Sequence, residues 1–186
     1  GSDVHGCYMD PEAYGCFLAG ATEGDFDQVV LNGDIADFSQ ISSHPKKVGS
    51  FDREFRDEIG LVEEIHWIRS QILAPLRKAA GKTPIMMRLG NHETRFLAVA
   101  ENNPTALVEL LKTMRKLKSL YLEEILDLDR YGVKLSYNAV DVLFGTFTVI
   151  HGVKTSLGVA RANLLRYGSG TSGHSHRANS WTQVMH

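Results

Sequence analysis

Three stretches of the chain are apolar without polar alternation, and each stops at a polar tip. Val29-Val30-Leu31-Asn32 runs into Gly33-Asp34 and then Asp37. Pro84-Ile85-Met86-Met87-Arg88-Leu89 runs into Gly90-Asn91-His92-Glu93, and Thr146-Phe147-Thr148-Val149-Ile150 runs into His151-Gly152. An apolar run with no polar face predicts a strand buried on both sides, as in a mostly parallel sheet. Ligands of open α/β sheets gather just beyond the carboxyl ends of such strands, so chemistry is expected at the tips.

Between these runs the spacing turns helical. Tyr14, Phe17 and Leu18 predict a short helix from Pro11 to Ala21, with the proline suited to its first turn. Leu61, Ile65, Ile68 and Ile72 predict another, starting at Phe51 or Leu61, running to Ala80, stopping at Gly81 and kinked by Pro75. Thr94 to about Leu126 reads as helical with a break at Asn102-Asn103-Pro104, its second piece carrying Leu107, Leu110, Leu111, Met114 and Leu117 as a stripe. Tyr131 to Tyr137 and Val140 to Ile150 read as strands paired through a turn. Ser156 to Tyr167 reads as a helix presenting Arg161 and Arg166, and Gly168-Ser169-Gly170-Thr171-Ser172 as poor strand material. Ser39 to Gly60 reads as a charged loop whose run from Lys46 to Arg56 is more often a solvated face than a substrate clamp.

Composition narrows the class without naming a partner. A chain of 186 residues, 43% apolar and 23% charged, has the size and balance of one soluble globular domain, 1-186. The net charge of -2 gives no general attraction to nucleic acid or to an anionic membrane, so a polyanionic substrate would need local cations. Cys7 and Cys16 make neither a disulfide framework nor a zinc ribbon, and the cytoplasm is the expected location. No apolar run approaches the roughly 18 residues of a membrane span. Asp3 stands almost at the start of the sequence with no strand before it, and the sequence stops ten residues after His176. Truncation at both ends is therefore expected, with Asp3 and His5 held only by metal coordination and flanking contacts.

In order, the tips are Asp3-x-His5-Gly6, Gly33-Asp34-x-x-Asp37, Gly90-Asn91-His92-Glu93, His151-Gly152 and Gly173-His174-x-His176. Carboxylate, imidazole and amide oxygen form a mixed O/N donor set suited to Mn²⁺, Fe or Zn²⁺ rather than to a sulfur-rich structural site. Singly, each tip has a bland reading as a turn or, for Asn91, a helix cap. Together, their order and spacing resemble the calcineurin-like metallophosphoesterases, in particular the small bacterial and phage forms.

That resemblance implies a four-layer α/β/β/α sandwich with two divalent metal ions, Mn²⁺ first and Fe, Zn²⁺ or Ni²⁺ as alternatives, at the carboxyl edge of the central strands. It assigns Asp3, His5, Asp34 and His176 to one ion and Asp34, Asn91, His151 and His174 to the other, with Asp34 bridging. Two ions about 3.5–4 Å apart can generate a hydroxide and steady the phosphoryl oxygens. The resemblance makes His92 the proton donor to the leaving oxygen and Asp37 the residue that orients it, and an imidazole suits that task near neutrality.

The implied activity is hydrolysis of phosphate esters, diesters ahead of monoesters, with a nucleotide or nucleic acid among the candidate substrates and no membrane partner. Phe38 stands where the phosphoprotein phosphatases carry an arginine, which argues against a phosphoprotein substrate. Arg95 and Arg177 are candidate phosphate contacts, with structural ion pairs as the competing reading. The alternatives are a repair-type DNA or RNA nuclease and a non-catalytic scaffold that binds a partner protein. His44 and His66 read as solvated, Cys7 as a small buried residue, and Trp67 and Trp181 as core or rim.

Overall fold

The computed structural model describes residues 1–41, 59–102, 104–111, 119–152 and 158–176, with positions 114, 155, 156, 180 and 182. The first two apolar runs form strands as their pattern demands, β1 (Val29–Asn32) and β2 (Ile85–Arg88). β3 (Val133–Ser136) joins them, and the three lie parallel in the order β1-β2-β3. A second sheet contains β4 (Asp141–Leu143), β5 (Phe147–Ile150) and β6 (Gly170–Ser172), with β5 in the middle, antiparallel to β4 and parallel to β6.

Two strand expectations change. Residues 131–137 do not pair with 140–150; β3 goes to β2 in the first sheet, and β5 takes β4 as its antiparallel partner instead. A turn at 137–140 looks the same in sequence whether the chain folds back or crosses to another sheet. The glycine-rich segment before His174 is a strand after all, held by Thr148 N–H donating to the Ser169 carbonyl and by register with Thr148 to Ile150. Close packing favours glycine there, because a Cβ on Gly170 would collide with the Thr148 carbonyl oxygen.

Helices α1 (Pro11–Glu23) and α2 (residues 61–80) bury the far face of the first sheet. Asp10 caps α1 by accepting from the Glu12 and Ala13 amides. α2 is continuous over residues 61–80, as Leu61–Trp67, a wide π-turn Ile68–Leu73 and Ala74–Ala80. The π-turn comes directly before Pro75, whose missing N–H and ring a regular α-turn cannot accommodate. Tyr14 ties the two helices by donating to the Ile72 carbonyl. α3 (Asn91–Asn102) starts earlier than the expected Thr94, so His92 and Glu93 lie in its first turn. α4 (Pro104–Leu111), the short α5 (Leu122–Ile125) and α6 (Val159–Tyr167) follow, α6 packing on β6.

Ile85 and Met87 of β2 enter the helix-side core, so by alternation Met86 and Arg88 face the second sheet. Arg88, 1% exposed, ion-pairs with Asp141 at 2.6 Å and donates to the carbonyls of Val149 and Asn138. The molecule is thus a mixed α/β arrangement of two facing sheets flanked by helices. No helix among the described residues is long and apolar enough to cross a membrane.

Residues 1–6 are tied more firmly than the sequence suggested. The Gly1 amine donates to the Val30 carbonyl, Asn32 N–H to Gly1, Asp3 N–H to Gly33, His5 N–H to Asp34 and Gly6 N–H to Ile35, at 2.7 to 3.1 Å. The segment lies along β1 and its extension, and backbone hydrogen bonds rather than side-chain contacts alone fix Asp3 and His5. His66 is exposed and Trp67 half-buried, as expected; Cys7 is half-buried rather than buried. The Phe51 start, His44, the Lys46 to Arg56 run and Trp181 lie outside the described residues.

Candidate metal centre

Every tip arrives at one edge of the two sheets. Their His and Asp atoms fall into groups whose ligating atoms lie within 4.8 Å of one another: Asp3, His5 and His176; His5, Asp34 and His92; Asp34, His151 and His174. Asp34 belongs to the last two and lies between the ends. The clusters form a candidate dinuclear metal site.

The donor geometry fits cations. His151 Nδ1 lies 2.8 Å from the Asn32 carbonyl, which takes its proton and leaves Nε2 aimed inward. That nitrogen is 3.0 Å from Asp34 Oδ2 and 3.2 Å from Asn91 Oδ1. A lone pair facing two oxygen acceptors needs a positive charge between them, a proton or a metal. At the other end His5 Nε2 and His176 Nε2 face one another at 3.2 Å, with Asp3 Oδ1 3.5 Å from the latter. Both Asp3 oxygens accept the His174 amide, which ties the two halves of the site together.

Charges follow the geometry. Burial opposes ionisation of Asp34, but the His151 ring, the His92 amide at 3.0 Å and the two nearby imidazoles hold its carboxyl down at about 2. His5 and His151 are pushed down by burial and up, by more, through hydrogen bonds to Asp37 and Asp34 respectively and through surrounding carboxylates. His174 moves down, through burial and then the neighbouring His151.

The backbone is unusual here as well. Among the described residues eight non-glycine positions have positive φ, and five of them are Asp3, His5, Asp34, His174 and His176. Such conformations concentrate at functional sites because the surrounding structure must hold them in place. Gly90 is the close-approach position, since a Cβ there would collide with Asp34 Oδ1.

Asp37 touches both His5 and His92. Its carboxylate is 3.1 Å from His5 Nδ1 and 3.6 Å from His92 Nδ1, while the Asp37 carbonyl is 2.6 Å from His92 Nδ1. The carboxylate therefore steadies His5 first, and His92 is oriented by main chain. With Nδ1 so engaged, His92 Nε2 faces the site, 4.0 Å from Asp34 Oδ2.

Two further carboxylates were missed in the sequence. Glu93, fully buried, accepts the amides of Asp34, Ala36 and Gly90 at 2.9 Å and that of Ile35 at 2.8 Å. Glu64 accepts those of Asp37 and Phe38. Five consecutive loop amides, 34 to 38, thus end on two buried acids. A signal for Glu64 was present, since it falls on the same helical stripe as Leu61, Ile65 and Ile68 and so had to be buried.

A cavity of about 540 Å³ opens at His5, His92 and His176 against α1, and another of about 560 Å³ opens at Asn91 and His151 against α6. Arg95 is half-buried on α3 and lines neither; Arg177 lies outside the described residues. Comparison with family models, curated proteins and solved structures found no match to this chain.

Proposed function

We propose that the protein is a dinuclear metal-dependent hydrolase of phosphate esters, diesters ahead of monoesters, built as a four-layer sandwich of the metallophosphoesterase type. The observation that carries this reading is the position of Asp34, a buried carboxylate at the end of β1 that shares one cluster of potential ligands with His5 and another with His151 and His174. Asp3, His5, Asp34 and His176 would hold one ion, and Asp34, Asn91, His151 and His174 the other. Mn²⁺ suits the oxygen and imidazole donors, with Fe, Zn²⁺ and Ni²⁺ as competitors. Two such ions supply a nucleophile at neutral pH and positive charge for the phosphoryl oxygens.

The chain's own groups do the rest. Asp37 and the Asn32 carbonyl fix the tautomers of His5 and His151, so that Nε2 of each faces inward. His92, held at Nδ1 by the Asp37 carbonyl, turns Nε2 toward the site, and in its imidazolium form it would carry the transferable proton there. As water oxygen bonds to phosphorus and the ester P–O bond breaks, that proton goes to the departing oxygen and prevents an alkoxide from leaving.

The test is metal content and hydrolysis in one preparation, with bis(p-nitrophenyl) phosphate as the diester and p-nitrophenyl phosphate as the monoester. About two ions per chain and faster diester turnover are expected. Bound metal with neither ester cleaved would overturn the enzymatic reading in favour of a scaffold.

A further inference from the structure

The cavity on the Asn91 and His151 side has walls that metal binding does not account for. Tyr137, on the segment after β3, is 53% exposed, yet its hydroxyl is fixed by both oxygens of Glu123 at 2.9 and 2.7 Å. A large ring held still in the open, at the mouth of a site, is a stacking platform that loses little entropy when something lands on it. Across the cavity α6 contributes Asn163, Arg166 and Tyr167. The Asn163 amide is oriented by donating to Ser172 Oγ at 3.0 Å, and the Arg166 guanidinium lies 5.1 Å from the centre of the Tyr167 ring.

Resting on the phosphoesterase reading, we propose that this cavity is a nucleoside subsite and that the substrates are small nucleotide esters. The base stacks on Tyr137 and offers its polar edge to Asn163, the reacting phosphate lies at Asn91 and His151, and Arg166 meets the nucleotide's charge. About 560 Å³ accommodates one nucleotide. Charge separates a nucleotide from a long nucleic acid. A polymer contacted through six to ten phosphates needs a matching number of basic side chains. Among the described residues two guanidiniums line this cavity, that of Arg88 is neutralised by Asp141, and the chain as a whole carries -2.

Calorimetric titration of the full chain, without added metal, with adenosine 5′-monophosphate and with ribose 5-phosphate tests the subsite apart from catalysis. The nucleotide should bind roughly 5- to 150-fold more tightly, the range one stacked base supplies. Tyr137→Ala should remove that preference, whereas Tyr137→Phe, which keeps the ring, should preserve it. Arg166→Ala should weaken the monophosphate and leave adenosine itself unchanged. Equal binding of the two phosphates, or a preference that survives Tyr137→Ala, would overturn the subsite. Melting curves of the variants separate loss of the platform from loss of the fold. Failure to cleave bis(p-nitrophenyl) phosphate would count against the phosphoesterase reading instead, and the binding comparison would still decide the subsite.

Discussion

Asp34 combines a strained backbone, a buried charge and partners from three separate tips, and its replacement should be felt at both ends of the site. Asp34→Asn removes the shared negative charge while keeping the shape. Elemental analysis should show occupancy falling at both positions, with hydrolysis abolished; full occupancy and rate in that variant would end the bridging assignment. His92 makes a contrasting case. His92→Ala should keep both ions and lose roughly 10²–10⁴-fold in rate on esters with poor leaving groups, the range of general acid catalysis. Nitrophenyl esters, whose leaving oxygen needs no proton, should suffer less. An equal loss on alkyl and nitrophenyl esters would show that His92 binds phosphate or supports the fold.

Among elements, the loop from β1 to residue 38 is shaped by two buried carboxylates outside the proposed ligand set, Glu64 on α2 and Glu93 on α3. Each Glu93 oxygen receives two main-chain N–H groups, so in Glu93→Gln one pair would face an amide NH₂ instead. Buried donors left unsatisfied cost about 1–3 kcal/mol each. That variant should therefore melt lower and bind metal more weakly, and an unchanged melting temperature would show that the clamp contributes nothing. Glu64 gives a pH signature. Burial first, then the charges of Asp37 and Glu93, raise its carboxyl from the ordinary 4.5 to about 7, against the pull of the Phe38 and Asp37 amides. Between those two values the folded state keeps a proton that the unfolded chain releases. The stabilisation is therefore complete below pH 4.5 and is lost as pH rises through 7, on the order of 1 kcal/mol for each pH unit crossed. Urea denaturation of the metal-free protein should show stability falling across that window, and Glu64→Gln should flatten the fall; parallel profiles would refute the assignment.

For the whole molecule, the decisive contact is the one between the sheets. Asp3, His5, Asp34 and Asn91 are carried by the first sheet and its loops, whereas His151, His174 and His176 follow strands of the second. The buried Arg88–Asp141 pair joins the two, with Ser136 and Asn138 also bound to Asp141. Asp141→Asn leaves a guanidinium buried without its counter-charge, a change that costs about 3–5 kcal/mol. The melting temperature should drop by roughly 6–20 °C, and metal affinity should fall with it because the two ligand sets lose their common frame. A shift under about 2 °C, less than 1 kcal/mol produces in a domain of this size, would mark the pair as no joint at all.

The amino-acid sequence alone determined the strands at 29–32, 85–88 and 147–150, a helix beginning at Pro11 and another ending at Ala80, and the residue types at the tips. Those features are local: apolar runs, helical spacing, and polar residues placed where a strand stops. Tertiary structure decided which sheet each strand joined, since the segment at 133–136 has the same pattern whether it pairs with β2 or with β4. It decided that the weak glycine-rich segment at 170–172 is a strand, because β5 offers it an edge. It also decided that Asp37 serves His5 before His92 and that Glu64 and Glu93 grip loop amides, for a carboxylate's partner depends on which donors folding brings within about 3 Å and not on its neighbours in sequence. Positive φ at Asp3, His5, Asp34, His174 and His176 belongs to the same class, because only a packed surrounding makes such backbones the lowest available state.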